Sequence, residues 1–120
     1  MSIPYTDREI AERLQRDLPA WKHEEGHLTR TFETGEWQRT LLLANAIGFV
    51  GEAAWHHPDL HLSYPRLKVL LTTHDAGGIT DKDFELARRI EEVATWQPSG
   101  GALTGPEKGW FKYVRGCWYE

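Results

Sequence analysis

The chain predicts an α+β fold: an antiparallel four-stranded sheet with three helices packed on one face, in the order α-β-β-α-β-β-α. Three observations carry this expectation. Apolar residues recur at helical spacing in three separate stretches, near residues 7–17, 37–55 and 81–95. Two turn signals, Glu25-Gly26 and Tyr64-Pro65, each divide a stretch that reads as extended. Between the second and third helical stretches, Leu67, Val69, Leu71 and Thr73 alternate with Arg66, Lys68, Leu70 and Thr72, the period of a strand with one buried face. Helices separated by hairpins point to helices gathered on one side of an antiparallel sheet.

Taken in order, Thr6-Asp7-Arg8-Glu9 has the spacing of a capping box, and Ile10, Leu14 and Leu18 follow at helical intervals. This predicts a helix over about Asp7–Asp17, stopped near Pro19. Trp21–Glu24 and His27–Glu33 then read as a hairpin around Glu25-Gly26. Trp37, Leu41, Ala44, Gly48, Gly51 and Trp55 step by three and four, which predicts the buried face of a long helix. Its small residues Ala44, Gly48 and Gly51 would let the sheet approach closely, and Pro58 ends it by about His56. His61–Tyr64 reads as a short strand before the strand that runs to Thr73. His74 follows, then the loop Asp75-Ala76-Gly77-Gly78. Thr80-Asp81-Lys82-Asp83 opens a third helix whose buried face is Phe84, Ala87, Ile90 and Ala94 and which ends near Thr95.

This organisation divides the chain into a domain over residues 1–95 and an aromatic-rich extension over residues 96–120. The extension starts with the linker-like Gln97-Pro98-Ser99-Gly100-Gly101. It continues to Trp110–Arg115 and Cys117-Trp118-Tyr119, which could add a strand or strap a sheet edge.

A chain of 120 residues suits one domain and can bury a core without disulfides or metal staples. Its formal net charge of −4 and the lack of any lysine or arginine run argue against sequence-independent nucleic-acid binding. One cysteine, Cys117, allows no internal disulfide. No apolar run approaches the ~18 residues of a membrane span, and the first residues lack an apolar signal core, so a cytoplasmic location is expected.

Four histidines lie close together in sequence: His56, His57, His61 and His74. His56 and His57 occupy the end of the long helix against Pro58, and His74 the end of the clearest strand. If helix and sheet pack, these ends can meet, and two imidazoles on opposite sides of a small molecule can act as acid and base. A dehydration needs that pairing: one group protonates the departing hydroxyl, the other takes a proton from a neighbouring atom. A zinc site is disfavoured, because adjacent histidines rarely aim at one metal. A Ser/His/Asp triad lacks its elbow motif. Surface histidines favoured at a helix end by its dipole are the plainest alternative.

Glu52-Ala53-Ala54-Trp55-His56-His57-Pro58, then Tyr64, Val69 and Leu71, then Thr73-His74, Gly78-Ile79-Thr80 and Asp83, together resemble the signature of pterin-4a-carbinolamine dehydratases. Over about residues 6–95 the element order is similar as well. The resemblance implies a substrate, 4a-hydroxytetrahydropterin, converted to a quinonoid dihydropterin and water in a homodimer or homotetramer. By motif position, His56 and His74 would be the acid–base pair, His57 would bind the pterin, and Asp83 and Trp21 would line the pocket. No metal and no organic cofactor would be needed. Asp83 also stands where a capping box would place it, Glu52 could hold a contact at the helix end, and Asp75 could orient the His74 imidazole.

The extension departs from this pattern. Ala102–Glu107 and Phe111-Lys112-Tyr113 are similar to the tails of dehydratase-like Rubisco assembly factors associated with α-carboxysomes. That resemblance implies an alternative role: a catalytically inactive chaperone with the Rubisco large subunit as partner.

Overall fold

A computed structural model of the chain describes residues 3–105. The first helix, α1 (Asp7–Asp17), begins with the expected capping box. The Glu9 amide donates to Thr6 Oγ1 at 3.2 Å and the Thr6 amide to Glu9 Oε1 at 2.8 Å, so two otherwise orphaned donors at the helix start are satisfied. Strands β1 (Lys22–Glu24) and β2 (His27–Glu33) form the first hairpin. Its two loop residues, Glu25 and Gly26, both have positive φ (48° and 81°), the conformation that matches the right-handed twist of the flanking strands. Helix α2 (Trp37–Ala54), strands β3 (Asp59–Ser63) and β4 (Arg66–Leu71), a 3₁₀ turn at His74–Ala76, and helix α3 (Asp81–Thr95) complete the domain. The third strand therefore starts two residues earlier than the sequence suggests.

All three strand pairings are antiparallel, in the order β1-β2-β4-β3. The α+β expectation is met: side chains from all three helices and from the sheet share one core. Leu28 and Phe32 of β2, and Leu67, Val69 and Leu71 of β4, point to the helices. Against them pack Ile10 and Leu14 of α1, Leu43 and Ile47 of α2, and Phe84, Ala87 and Ile90 of α3. Each of these side chains other than Ala87 contributes about 1.5–3 kcal/mol when fully buried.

The buried face of α2 is rotated from the one the spacing predicts and shares with it only Gly51 and, in part, Ala44. Thr40, Leu43, Ile47 and Gly51 are buried, whereas Trp37, Leu41 and Trp55 are exposed and Ala44 is only partly covered. Nor do the small residues admit the sheet: a Cβ at Gly48 would meet nothing within 4 Å, while one at Gly51 would stand 2.7 Å from Pro58 Cδ. The close approach is made by the chain that leaves α2, and it fixes where His56 and His57 fall.

Two polar ties hold the helices in place. Arg30 is 4% exposed and shares both Glu91 oxygens, at 2.9 and 3.0 Å, with the Trp21 indole donating to the same carboxylate at 2.8 Å. At the other end of α3, Tyr5 and Arg13 both donate to Asp81. These bonds hold the Asp81 carboxyl below the usual range, the Tyr5 hydrogen bond contributing most.

The stretch from Trp96 to Gly105 forms no helix or strand. Trp110–Arg115 and Cys117–Tyr119, where an added strand is expected, lie outside the described residues. No helix among the described residues is long and apolar enough to cross a membrane.

Candidate active site

The last turn of α2 ends at Trp55, which adopts a left-handed conformation (φ 56°, ψ 43°) and turns the chain sharply. The amides of Trp55 and His56 close the helix by donating to Glu52 O (3.2 Å) and Gly51 O (3.1 Å). This turn aims His56 inward and leaves His57 outside. His56 Nε2 lies 2.7 Å from Asp83 Oδ1, and the two side chains are 14% and 0% exposed. His57 is half exposed, its Nε2 lies 2.9 Å from Glu52 Oε1, and its ring meets Trp55 edge to face at 4.9 Å. Glu52 thus holds a helix-end contact, with His57.

Asp83 joins the helix end to the strand end. Its Oδ2 accepts from the Thr80 amide at 2.9 Å and from Thr73 Oγ1 at 2.7 Å, while Thr73 and Thr80 hydroxyls stand 2.9 Å apart. Thr73 is the residue before His74, so one carboxylate spans His56 and the segment that carries His74. The loop after β4 is shaped for this: Thr73 and Gly78 pair across it, and Gly77 takes the positive φ of 77° that closes the 3₁₀ turn. His74 itself opens that turn and is exposed, as is Asp75.

The expected pocket residues fall in two places. His56, Asp83 and the Thr73-His74 segment are brought together, with His57 beside them. Asp83 is fully buried and presents no surface to a ligand; the ring it meets is that of His56. Trp21 is 3% exposed and bonded to Glu91, eight residues beyond Asp83 on α3, which at helical rise is about 12 Å away. The Thr73 hydroxyl is a partner of the carboxylate that the sequence does not single out, whereas the Thr80 hydroxyl bonds Thr73 Oγ1 and the Lys82 amide. The available signal is a short hydroxyl donor directly before His74, ten residues ahead of the one acid that caps α3.

Because Oδ2 is occupied by a backbone N–H and a hydroxyl, Oδ1 is the acceptor left for the His56 ring. With the Nε2 proton directed to Oδ1, Nδ1 carries the lone pair. A buried carboxylate holding one imidazole tautomer is the arrangement of a general base.

Beside this cluster, a cleft of about 480 Å³ runs between the end of α2 and α3, with His56 and Trp55 on one wall and Lys82, Arg88 and Arg89 on the other. Its volume is within the range of small-molecule sites. No group of three or more metal-ligating side chains converges among the described residues.

Residues 3–93 match the family described as pterin 4 alpha carbinolamine dehydratase. This chain belongs to that family. A protein of Aquifex aeolicus named "Putative pterin-4-alpha-carbinolamine dehydratase" is 41% identical over 88 residues, 73% of this chain and 88% of that one. One of the same name from Chloroflexus aurantiacus is 42% identical over 88 residues, 73% of this chain and 94% of that one. Among solved structures, a "transcriptional coactivator/pterin dehydratase" from Brucella melitensis superposes with a TM-score of 0.69 at 27% identity, covering 76% of this chain and 98% of that one. The family match, over residues 3–93, spans the three helices and four strands except the last two residues of α3.

Proposed function

We propose that the chain dehydrates a 4a-hydroxytetrahydropterin to a quinonoid dihydropterin, with His56 and His74 as the proton-transfer pair and His57 as a pterin-binding side chain. The observation that carries this reading is the 2.7 Å contact between His56 and the buried Asp83 carboxylate, which also accepts from Thr73, the residue before His74.

The reaction breaks one C–O bond and forms one C=N bond. His74, exposed at the strand end, protonates the departing 4a-hydroxyl, which leaves as water. His56 takes the N–H proton of the adjacent ring nitrogen at Nδ1, and that nitrogen's electron pair forms the C=N bond. Asp83 stabilises the imidazolium that results. One proton is given and one accepted, so the pair returns to its starting state by exchange with solvent. No group outside the polypeptide enters this sequence. A homodimer or homotetramer is the assembly that accompanies this reading, and light scattering measures it.

Purified protein is expected to accelerate the dehydration, and His56→Ala and His74→Ala each to lower kcat by about 10²–10⁴-fold, the usual worth of a general acid or base. A substitution at His57 should act mainly on KM. Absence of any acceleration at micromolar protein, or full activity in His56→Ala, would rule the proposal out.

A further inference from the structure

We propose that the cleft between the end of α2 and α3 is an anion-accepting subsite, built from Trp55, Lys82, Arg88 and Arg89, that selects pterins whose side chain ends in a phosphate or a carboxylate. The pterin part of this statement rests on the dehydratase reading.

Three observations support it. The cleft is continuous with the candidate active site, since His56 is part of its wall. A ligand held by His56 can therefore extend into it. Three cationic side chains line it against one carboxylate, Glu85, although the chain as a whole carries a net charge of −4. Among the described residues, Arg89 alone of the three has an ion pair, to Glu92 at 3.1 Å, and that pair is exposed. Positive charge gathered at a concave surface raises the local concentration of anions and orients them.

The third observation is Trp55. Large side chains seldom occupy positive φ, because the Cβ crowds the backbone, and glycine or asparagine suits such a helix end better. Trp55 nevertheless takes φ 56°, is 74% exposed and lines the cleft. Core packing does not require it there. A flat apolar surface beside cations suits a short organic side chain carrying a terminal anion.

The test uses the full chain and fluorescence titration with three pterins: one with an uncharged hydroxyalkyl side chain, its phosphate monoester, and one whose side chain ends in a carboxylate. At least one anionic pterin is expected to bind about tenfold more tightly than the neutral one, the scale that two or three solvent-exposed ion pairs can supply. The phosphate and carboxylate arms show which anion is preferred. The preference should decline as salt is raised. In the double variant Arg88→Gln, Arg89→Gln it should shrink to about twofold or less, with neutral-pterin affinity unchanged.

Trp55→Gly should weaken binding of all three without lowering Tm, because glycine accepts the backbone conformation freely. Equal affinity for neutral and anionic pterins, a preference that survives the double variant, or no binding of any pterin overturns the inference. Turnover assayed in parallel separates the two statements. An anionic preference without dehydration leaves the subsite standing and removes the reaction. Dehydration without preference does the reverse.

Discussion

A carboxylate has two oxygens, and Asp83 uses them differently. Oδ2 completes the cap of α3 through the Thr80 amide, and Oδ1 meets His56. In sequence these are competing readings: the position three residues after Thr80 suggests a cap, and the dehydratase motif suggests a pocket residue. The cap is present, and the same carboxylate reaches His56, because Thr73 and Thr80 crowd one oxygen and leave the other turned to the helix end, an orientation that spacing along a chain does not carry. Asp83→Asn separates the two uses. The amide oxygen can still cap the helix, but its NH₂ group then faces His56 Nε2 and favours the opposite tautomer. We expect the variant to fold, with Tm lowered by a few degrees, and kcat to fall by about 10²–10⁴-fold. Stopped-flow dehydration together with thermal melting checks this; more than a tenth of the original kcat would show that the tautomer is set elsewhere.

Helix α2 shows how an element can be legible while its orientation is not. Its existence, length and end near Pro58 follow from the sequence, yet the buried residues are Thr40, Leu43, Ile47 and Gly51. The helix is apolar nearly all round, with Leu41, Leu42 and Leu43 in succession, so periodicity alone selects no single face. The functional end depends on Gly51, where an added Cβ would stand 2.7 Å from Pro58 Cδ and 3.3 Å from the His56 carbonyl oxygen. In an unobstructed helix, Gly→Ala stabilises by about 1 kcal/mol through propensity. Here the clash is with a proline ring that follows directly on the histidine pair, and overpacking costs about 1–3 kcal/mol. Gly51→Ala is therefore expected to lower stability on balance and to shift the His56 ring signals in an NMR spectrum. A higher Tm in this variant would show that Pro58 yields and that the helix end is not rigidly set.

At the scale of the molecule, the sheet order β1-β2-β4-β3 places β2 and β4 centrally, and the pair between buried Arg30 and partly covered Glu91, with Trp21, ties the first hairpin to α3. The two hairpins and their helices were legible because both turns are short and the strand period is clear. The tie was less so: Arg30 alternates onto the helix face between Leu28 and Phe32, where a charge breaks the apolar pattern, and its partner lies 61 residues away. Glu91→Ala removes the carboxylate shared by both donors, which should cost about 2–3 kcal/mol, less than for a fully buried pair because Glu91 is partly exposed and Arg30 keeps its bond to Thr31 O, a fall of about 10 °C in Tm for a domain this size. Calorimetry that finds a loss of only a degree or two would mean other partners hold Arg30. We also expect a chain cut after Trp96 to keep its Tm and its dehydration rate, since among the described residues the shared core extends no further than Ala94; a large loss of either would give residues 97–120 a place in the working domain.

The shared use of the Thr80–Asp83 cap has a practical consequence for anyone breeding a hardier form of this protein. A library screened only for folding would pass Asp83→Asn, since the amide oxygen still accepts from the Thr80 amide at the start of α3. Its NH₂ group would face His56, so survivors of that screen would include folded but silent molecules. Improvement should be sought at α1 or the hairpins, where no reacting group depends on the residue being changed.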